Sequence, residues 1–297
     1  MSESVEVRAA AALQPLEESR GGEPKHGRFP FSAWHLVLFP LAFLMVVPMI
    51  WMVVTSVETL SETRHFPPIL VPHTLRPQNY SDVLQQAPFA RWFLNTLIVT
   101  VVVVAANLLF CSLAGYAFAR IKFFGREVVF ILVLATLMIP FQVIMIPTFL
   151  IVRKLGLIDT LGALIVPNLA GAFGIFLLRQ FFRSLPIELE EAARIDGASR
   201  LGVLFKIILP LSGPVLATVA VVTFLWTWND FLWPLVTLYN PNNYTLQLGL
   251  TTFQGAHQTN THLLMAANVM SVLPVLLLFF AAQRFFIRGI ATSGLKG

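Results

Sequence analysis

The chain is predicted to be an all-α integral membrane protein with about six transmembrane helices. Three observations predict this. Of the 297 residues, 57% are hydrophobic and only 12% are charged, about half the charge of an ordinary soluble domain. The mean hydropathy is +0.76. The apolar residues are also gathered into runs close to the ~20 residues a helix needs to cross a hydrocarbon core. Strands of alternating polarity are absent, and in lipid an open chain satisfies its backbone groups only as helix.

Residues 1–33 are polar, mixed in charge and rich in Ala, Glu, Gly and Pro, a composition expected of a disordered tail. The first apolar run spans 36–57, longer than the apolar core of a signal peptide, so it is expected to remain as the first span. Five more runs follow, near 92–119, 128–152, 161–178, 210–238 and 263–283. The transmembrane domain therefore covers 34–290, with a short C-terminal tail at 291–297. Only the fifth run contains an acid, Asp230. Pro140 and Pro147, Asn107, Asn168 and Gly171, Asn268 and Pro274 interrupt the runs as kinks, packing residues or parts of a polar path.

Lys and Arg set the orientation. Arg8, Arg20, Lys25 and Arg28 precede the first span. Arg120, Lys122 and Arg126 follow the second. Arg179, Arg183, Arg194, Arg200 and Lys206 follow the fourth, and Arg284, Arg288 and Lys296 the sixth. The opposite side holds Arg64, Arg76, Arg91, Arg153 and Lys154. Both termini are thus expected in the cytoplasm. Trp34, Trp51, Trp92 and Trp233 fall near span ends, where interfacial anchors sit. The pI near 9.7 reflects this topology rather than nucleic-acid binding, because the basic residues are scattered between apolar runs. The single cysteine, Cys111, lies within an apolar run and is read as a small core residue.

The segment 183–209 is the most informative. Pro186 suits the first turn of a helix. Glu188, Glu190 and Glu191 crowd its N-terminal half, where the helix dipole favours acids. Ala192 and Ala193 keep one surface low, and Gly197 can end the helix in a left-handed conformation. A second helical stretch then leads into the fifth span. The physics predicts a short capped helix on the cytoplasmic face, shaped to dock a partner.

Here the sequence resembles the permease subunits of ABC importers. Glu191-Ala192-Ala193, Gly197 four residues on, then Ile207 and Leu209-Pro210 match the spacing of that family's EAA signature. The resemblance extends over nearly all of the chain after residue 34. Gly115 to Gly125, Met138 to Gln142 and Trp228 to Leu235 are similar to its carbohydrate-uptake branch. Gly294, Lys296 and Gly297 close the chain as in the maltose-type inner subunit. The resemblance implies an inner-membrane permease of a bacterium, with a coupling helix that docks in a cleft of an ATPase subunit. The coupling residues carried over are Glu190, Glu191, Ala192, Ala193, Asp196, Gly197, Ile207, Leu209 and Pro210, with the C-terminal tail reaching the same interface. Implied partners are an ABC ATPase dimer that binds ATP and magnesium, a second permease subunit and an extracytoplasmic substrate-binding protein. The implied cargo is a sugar or sugar-like solute.

Asp230 lies roughly 25 Å along a helix begun at Gly213, toward the outer end of the fifth span. Asn229 and Asp230 are candidates to hydrogen-bond a polar solute, with Trp226, Trp228 and Trp233 offering flat faces for sugar rings; the alternative is an interfacial belt with Asp230 reaching water or an inter-subunit partner. The uncharged segment 236–262 is either a solvated loop or a contact for a delivery protein. Gly197 and Gly202 have phosphate-loop spacing, but Val203 stands where Lys is required. No metal-ligand or Ser/His/Asp pattern is present. A stand-alone ion-coupled transporter would carry more intramembrane charge, and a membrane enzyme would show a site.

Overall fold

The computed structural model describes residues 34–293 apart from 68, 70 and 256–258, with side chains up to 283. Contacts divide the chain after Met49 into two units. Among the described residues it is helical, with one isolated bridge between Gln254 and Thr259. Four helices are long and apolar enough to cross a membrane, and six if each of two bent pairs is one span.

Helix α1 is His35–Ser56. After a 3-10 turn at Glu62–Arg64 comes the short α2, Gln78–Gln86. The two meet where the buried Asn79 amide donates to the carbonyls of Ser56 at 2.9 Å and Glu58 at 2.8 Å. Helix α3, Phe89–Arg120, runs 32 residues without interruption, or about 48 Å. It outruns a ~30 Å hydrocarbon core, an excess that tilt or projecting ends accommodate. Arg120 in its last turn complements the dipole.

The third apolar run is not one helix. It is α4, Arg126–Ala135, a 3-10 turn to Met138, and α5, Phe141–Lys154, with a bend of 105°. The break falls at Pro140: Ile139 before it is extended, with φ −90° and ψ 116°, as the clash with a following proline ring requires. The fourth run is also interrupted. Helix α6 (Gly162–Ile165) passes into a 3-10 turn at Val166–Asn168, and α7 (Ala172–Ser184) begins after an extended Gly171.

Next come α8 (Glu188–Ile195), α9 (Arg200–Val203), a π-helical turn Leu204–Ile208 and α10 (Leu209–Leu211). That arm meets α11 (Gly213–Trp228) at 83°. The fifth run therefore ends at Trp228, and α12 (Leu232–Thr237) is a separate short helix. A 3-10 turn at Pro241–Asn243, α13 (Leu246–Leu250) and the long α14 (Thr261–Ser293) complete the chain.

Helix α3 is the axis of the second unit, packed between α7 and α11. Small residues let it approach α7. A Cβ on Gly174 would come within 2.9 Å of Cys111 Sγ, and one on Gly115 within 3.0 Å of Leu178 Cβ. Close approach through small residues drives helix association where lipid removes the hydrophobic drive. Cys111 is thus fully buried, as its sequence context predicts.

Two of the four supposed belt tryptophans are core residues. Trp92 is 1% and Trp233 2% exposed; their indole N–H groups donate to Pro241 O at 2.7 Å and Ala163 O at 2.9 Å. An indole whose N–H finds a carbonyl can be buried outright. Trp34 and Trp51 are exposed.

Coupling loop and candidate translocation cavity

The arm between α7 and α11 folds as a capped helix followed by a turn. Gly197 adopts φ +84°. Ala198 N–H bonds to Ala193 O at 2.9 Å and Gly197 N–H to Arg194 O at 3.1 Å. These two bonds are a Schellman cap, and they need a left-handed residue at that position. Ser199 then caps α9, its hydroxyl accepting from Gly202 N–H at 3.1 Å.

The signature residues divide between two faces. Glu191, Ala192, Asp196 and Gly197 are exposed, together with Ile195 at 87% exposure. Ala193 is half-buried. Ile207 and Leu209 are half-buried and Pro210 exposed. Val203, Leu204 and Ile208 are fully buried against Leu178, Phe182 and Val219. Exposed Glu191 beside Ile195 gives α8 a mixed apolar and acidic outer face.

Glu190 differs from its neighbour. A rotation of about 100° per residue turns it inward, where it is 5% exposed. Its Oε1 meets Arg120 Nε at 2.6 Å, and the Tyr116 hydroxyl donates to Oε2 at 3.1 Å. Arg120 also donates to Leu185 O at 2.6 Å. Glu190 therefore grips α3 instead of facing outward with Glu191. Tyr116 and Arg120 were not legible as its partners: 70 residues separate Arg120 from Glu190, and no local pattern joins them. Nearby, Arg179 bonds Glu127 at 2.6 Å and lies 3.7 Å over the Phe130 ring, fastening α7 to α4.

At the other end of α3, the described residues of segment 236–262 are folded rather than a plain loop. Asn95 donates to the carbonyls of Asn242 and Tyr244, both at 3.0 Å, and Leu246 N–H donates to Thr96 Oγ1 at 2.7 Å. Leu246, Leu248, Leu250 and Phe253 are buried. Asp159, at φ +59°, accepts from Tyr239 N–H at 2.9 Å and Asn240 N–H at 3.0 Å. Partial desolvation raises its carboxyl pKa, but the Asn240 and Tyr239 N–H groups and the Asn243 amide outweigh this and hold it below the ordinary value.

A cavity of about 350 Å³ lies between α3, the break before α7, and α11. Its polar and aromatic lining includes Asn107, Asn168, Thr223, Trp226, Asp230 and Trp233. Asn107 bridges to Asn168 O at 2.7 Å, so the helix break at 168–171 creates polar lining. Of the five sequence candidates, Trp226, Asp230 and Trp233 line the cavity. Asn229 is exposed, with its amide on Leu225 O at 2.8 Å. Trp228 points away into the core, 1% exposed, stacked on Phe224 with its N–H on Ser271 O at 3.2 Å. Trp226, two residues earlier, takes the cavity position. Gly294, Lys296 and Gly297, and the tail 1–33, lie outside the described residues.

The model of a family described as "binding-protein-dependent transport system inner membrane component" matches residues 108–292. The chain belongs to this family. The permease is 39% identical over 273 residues to the arabinooligosaccharides transport system permease protein AraQ of Halalkalibacterium halodurans, covering 90% of this chain and 98% of that one. It is 34% identical over 266 residues to the lactose transport system permease protein LacG of Rhizobium radiobacter, covering 90% and 97%. Among solved structures, a bacterial ABC transporter involved in the import of the acidic polysaccharide alginate superposes with a TM-score of 0.77 at 27% identity, over 86% of this chain and 99% of that chain. The methionine transporter MetNI shares the fold, with a TM-score of 0.52 at 20% identity over 68% of this chain and 95% of that chain. The chain is thus a multi-pass inner-membrane permease of the ABC importer type, a transport subunit rather than a catalyst.

Proposed function

We propose that the permease forms half of the path for a sugar or sugar-like solute, and that α8 docks an ABC ATPase whose closure drives transport. The observation that carries the docking reading is the outer face of α8. A helix ended by a left-handed glycine presents Glu191 and an 87% exposed Ile195 at the end of α3 where arginines cluster. With Ile187, Leu189 and Leu201 also exposed on this arm, the outer surface is apolar beyond a single side chain, and exposed apolar patches mark interaction sites. The same Lys and Arg distribution supports a cytoplasmic position for that end and for both termini.

The cargo class is supported by relatives named for arabinooligosaccharides and lactose, and by a cavity that combines amide, hydroxyl and indole groups. Such groups bind hydroxyl-rich rings by hydrogen bonds and stacking. Asp230 in the cavity lining supports a solute route past this residue. A second permease subunit completes the other half, an extracytoplasmic binding protein delivers the solute at the 236–262 end, and the C-terminal Gly294, Lys296 and Gly297 contact the ATPase. Reconstitution with the ATPase, second permease and binding protein tests this. ATP-dependent uptake of a labelled oligosaccharide is expected, and Glu191→Ala with Gly197→Val should reduce ATPase co-purification. Undiminished ATPase binding by that double variant would refute the docking reading.

A further inference from the structure

We propose that Glu190 is a positioning residue that makes α8 and α3 move as one body, so that displacement of the docked loop reaches the cavity through α3. This rests on the docking reading above.

The covalent links out of α8 are poor transmitters. Before it, Leu185 is extended, with φ −74° and ψ 141°. Behind it, the chain turns at Gly197, passes a π-helical turn and bends by 83° into α11. Each joint can absorb a displacement by changing a few backbone angles. By contrast, α3 is one unbroken helix. Its last turns hold Tyr116 and Arg120, and Thr96, Val99, Val103 and Asn107 on the same helix line the cavity. About 20 Å of rigid helix separates Asn107 from Arg120.

The tie between the two helices is narrow: a buried ion pair beside one hydrogen bond. Glu190 is the buried residue of α8. Its two oxygens are held by two different side chains of α3, and Arg120 at the same time holds Leu185 O in the approach to α8. Apolar packing fastens the later arm through Val203, Leu204 and Ile208, but α8 itself adds only half-buried Ala193 to it. Adjacent glutamates thus divide two tasks: Glu191 faces outward to the partner, and Glu190 passes the load inward.

The test uses the complete transporter in proteoliposomes and reads solute taken up per ATP hydrolysed. Glu190→Gln keeps the shape and the Tyr116 hydrogen bond but removes the ion pair. Assembled complexes of this variant are expected to retain the ATPase while uptake per ATP falls about tenfold. Tyr116→Phe removes one hydrogen bond, and a two- to fivefold fall is expected; it serves if the first variant does not assemble. Glu191→Ala run in parallel should instead lower the amount of ATPase retained. If the wild-type chain retains no ATPase, the docking reading fails. If it does, and both Glu190→Gln and Tyr116→Phe transport at the wild-type ratio, the positioning role is overturned while docking stands.

Discussion

Replacing Glu190 with Met leaves the Arg120 guanidinium in a site where its side chain is 11% exposed; replacing Arg120 with Met leaves the Glu190 carboxylate at 6%. Breaking a buried ion pair from one side typically costs about 3–5 kcal/mol, because the remaining charge is desolvated without a counter-charge. The two single variants should not be equal. Stranded Arg120 keeps its 2.6 Å bond to Leu185 O and has a long stem with which to reach water, so Glu190→Met belongs near about 3 kcal/mol. Stranded Glu190 keeps only the neutral Tyr116 hydroxyl, so Arg120→Met belongs near about 5 kcal/mol. The double variant removes both charges and leaves two flexible apolar chains of similar volume. It should return to within about 1 kcal/mol of the native protein or exceed it. The assay is denaturant unfolding in mild detergent followed by tryptophan fluorescence. With single costs of about 3 and about 5 kcal/mol and a double cost of at most about 1 kcal/mol, a double-mutant cycle then gives an interaction energy of about 7 kcal/mol in magnitude. Additive single effects, with an interaction energy below about 0.5 kcal/mol, would refute the buried link.

Gly197→Ala should cost about 1–2 kcal/mol, because an L residue at φ +84° is strained; Gly197→Asn should cost less, and hydrogen exchange of the Gly197 and Ala198 amides reads the difference. Gly249→Ala should be among the most damaging single substitutions, since the added Cβ would overlap the Trp92 ring; overpacking of about 1–3 kcal/mol or more should appear as lost expression and a lower unfolding midpoint. Glu62 is held down to about 2 from an ordinary 4.5 by the Thr59 N–H and hydroxyl, with further help from the N–H groups of His73 and Thr74. A depressed carboxyl stabilises above its ordinary value and loses that contribution as pH falls through its folded one. Limited proteolysis of the segment 57–77 should therefore be flat with pH down to about 4.5 and accelerate toward about 2.

The runs of apolar residues fall on helices long and apolar enough to cross a membrane, four or up to six among the described residues, because lipid imposes length and polarity directly on sequence. The capped helix at 188–197 was equally legible, since helix initiation by acids and termination by Gly197 are local properties. What was not legible is long-range. Pro140 was visible as an interruption, but a bend of 105° depends on what receives the second leg. Trp92, Trp228 and Trp233 sit where a belt would place them, yet each faces inward because a carbonyl from elsewhere in the chain accepts its N–H. Segment 236–262 reads as polar loop because its buried residues Leu246, Leu248, Leu250 and Phe253 are spread between Asn, Gln and Thr. The inward turn of Glu190 depended on Tyr116 and Arg120, whose pairing is a property of the packed fold.

The most direct test of the docking face is chemical labelling at Ile195, which is 87% exposed, in a protein whose own cysteine, Cys111, is buried. Ile195→Cys in the assembled transporter should react with a membrane-impermeant maleimide in inside-out vesicles stripped of the ATPase. Reaction should be suppressed when the ATPase is restored, and a short bifunctional reagent should then join the two chains. Labelling from the outside of intact cells, or equal labelling with and without the ATPase, would contradict the account.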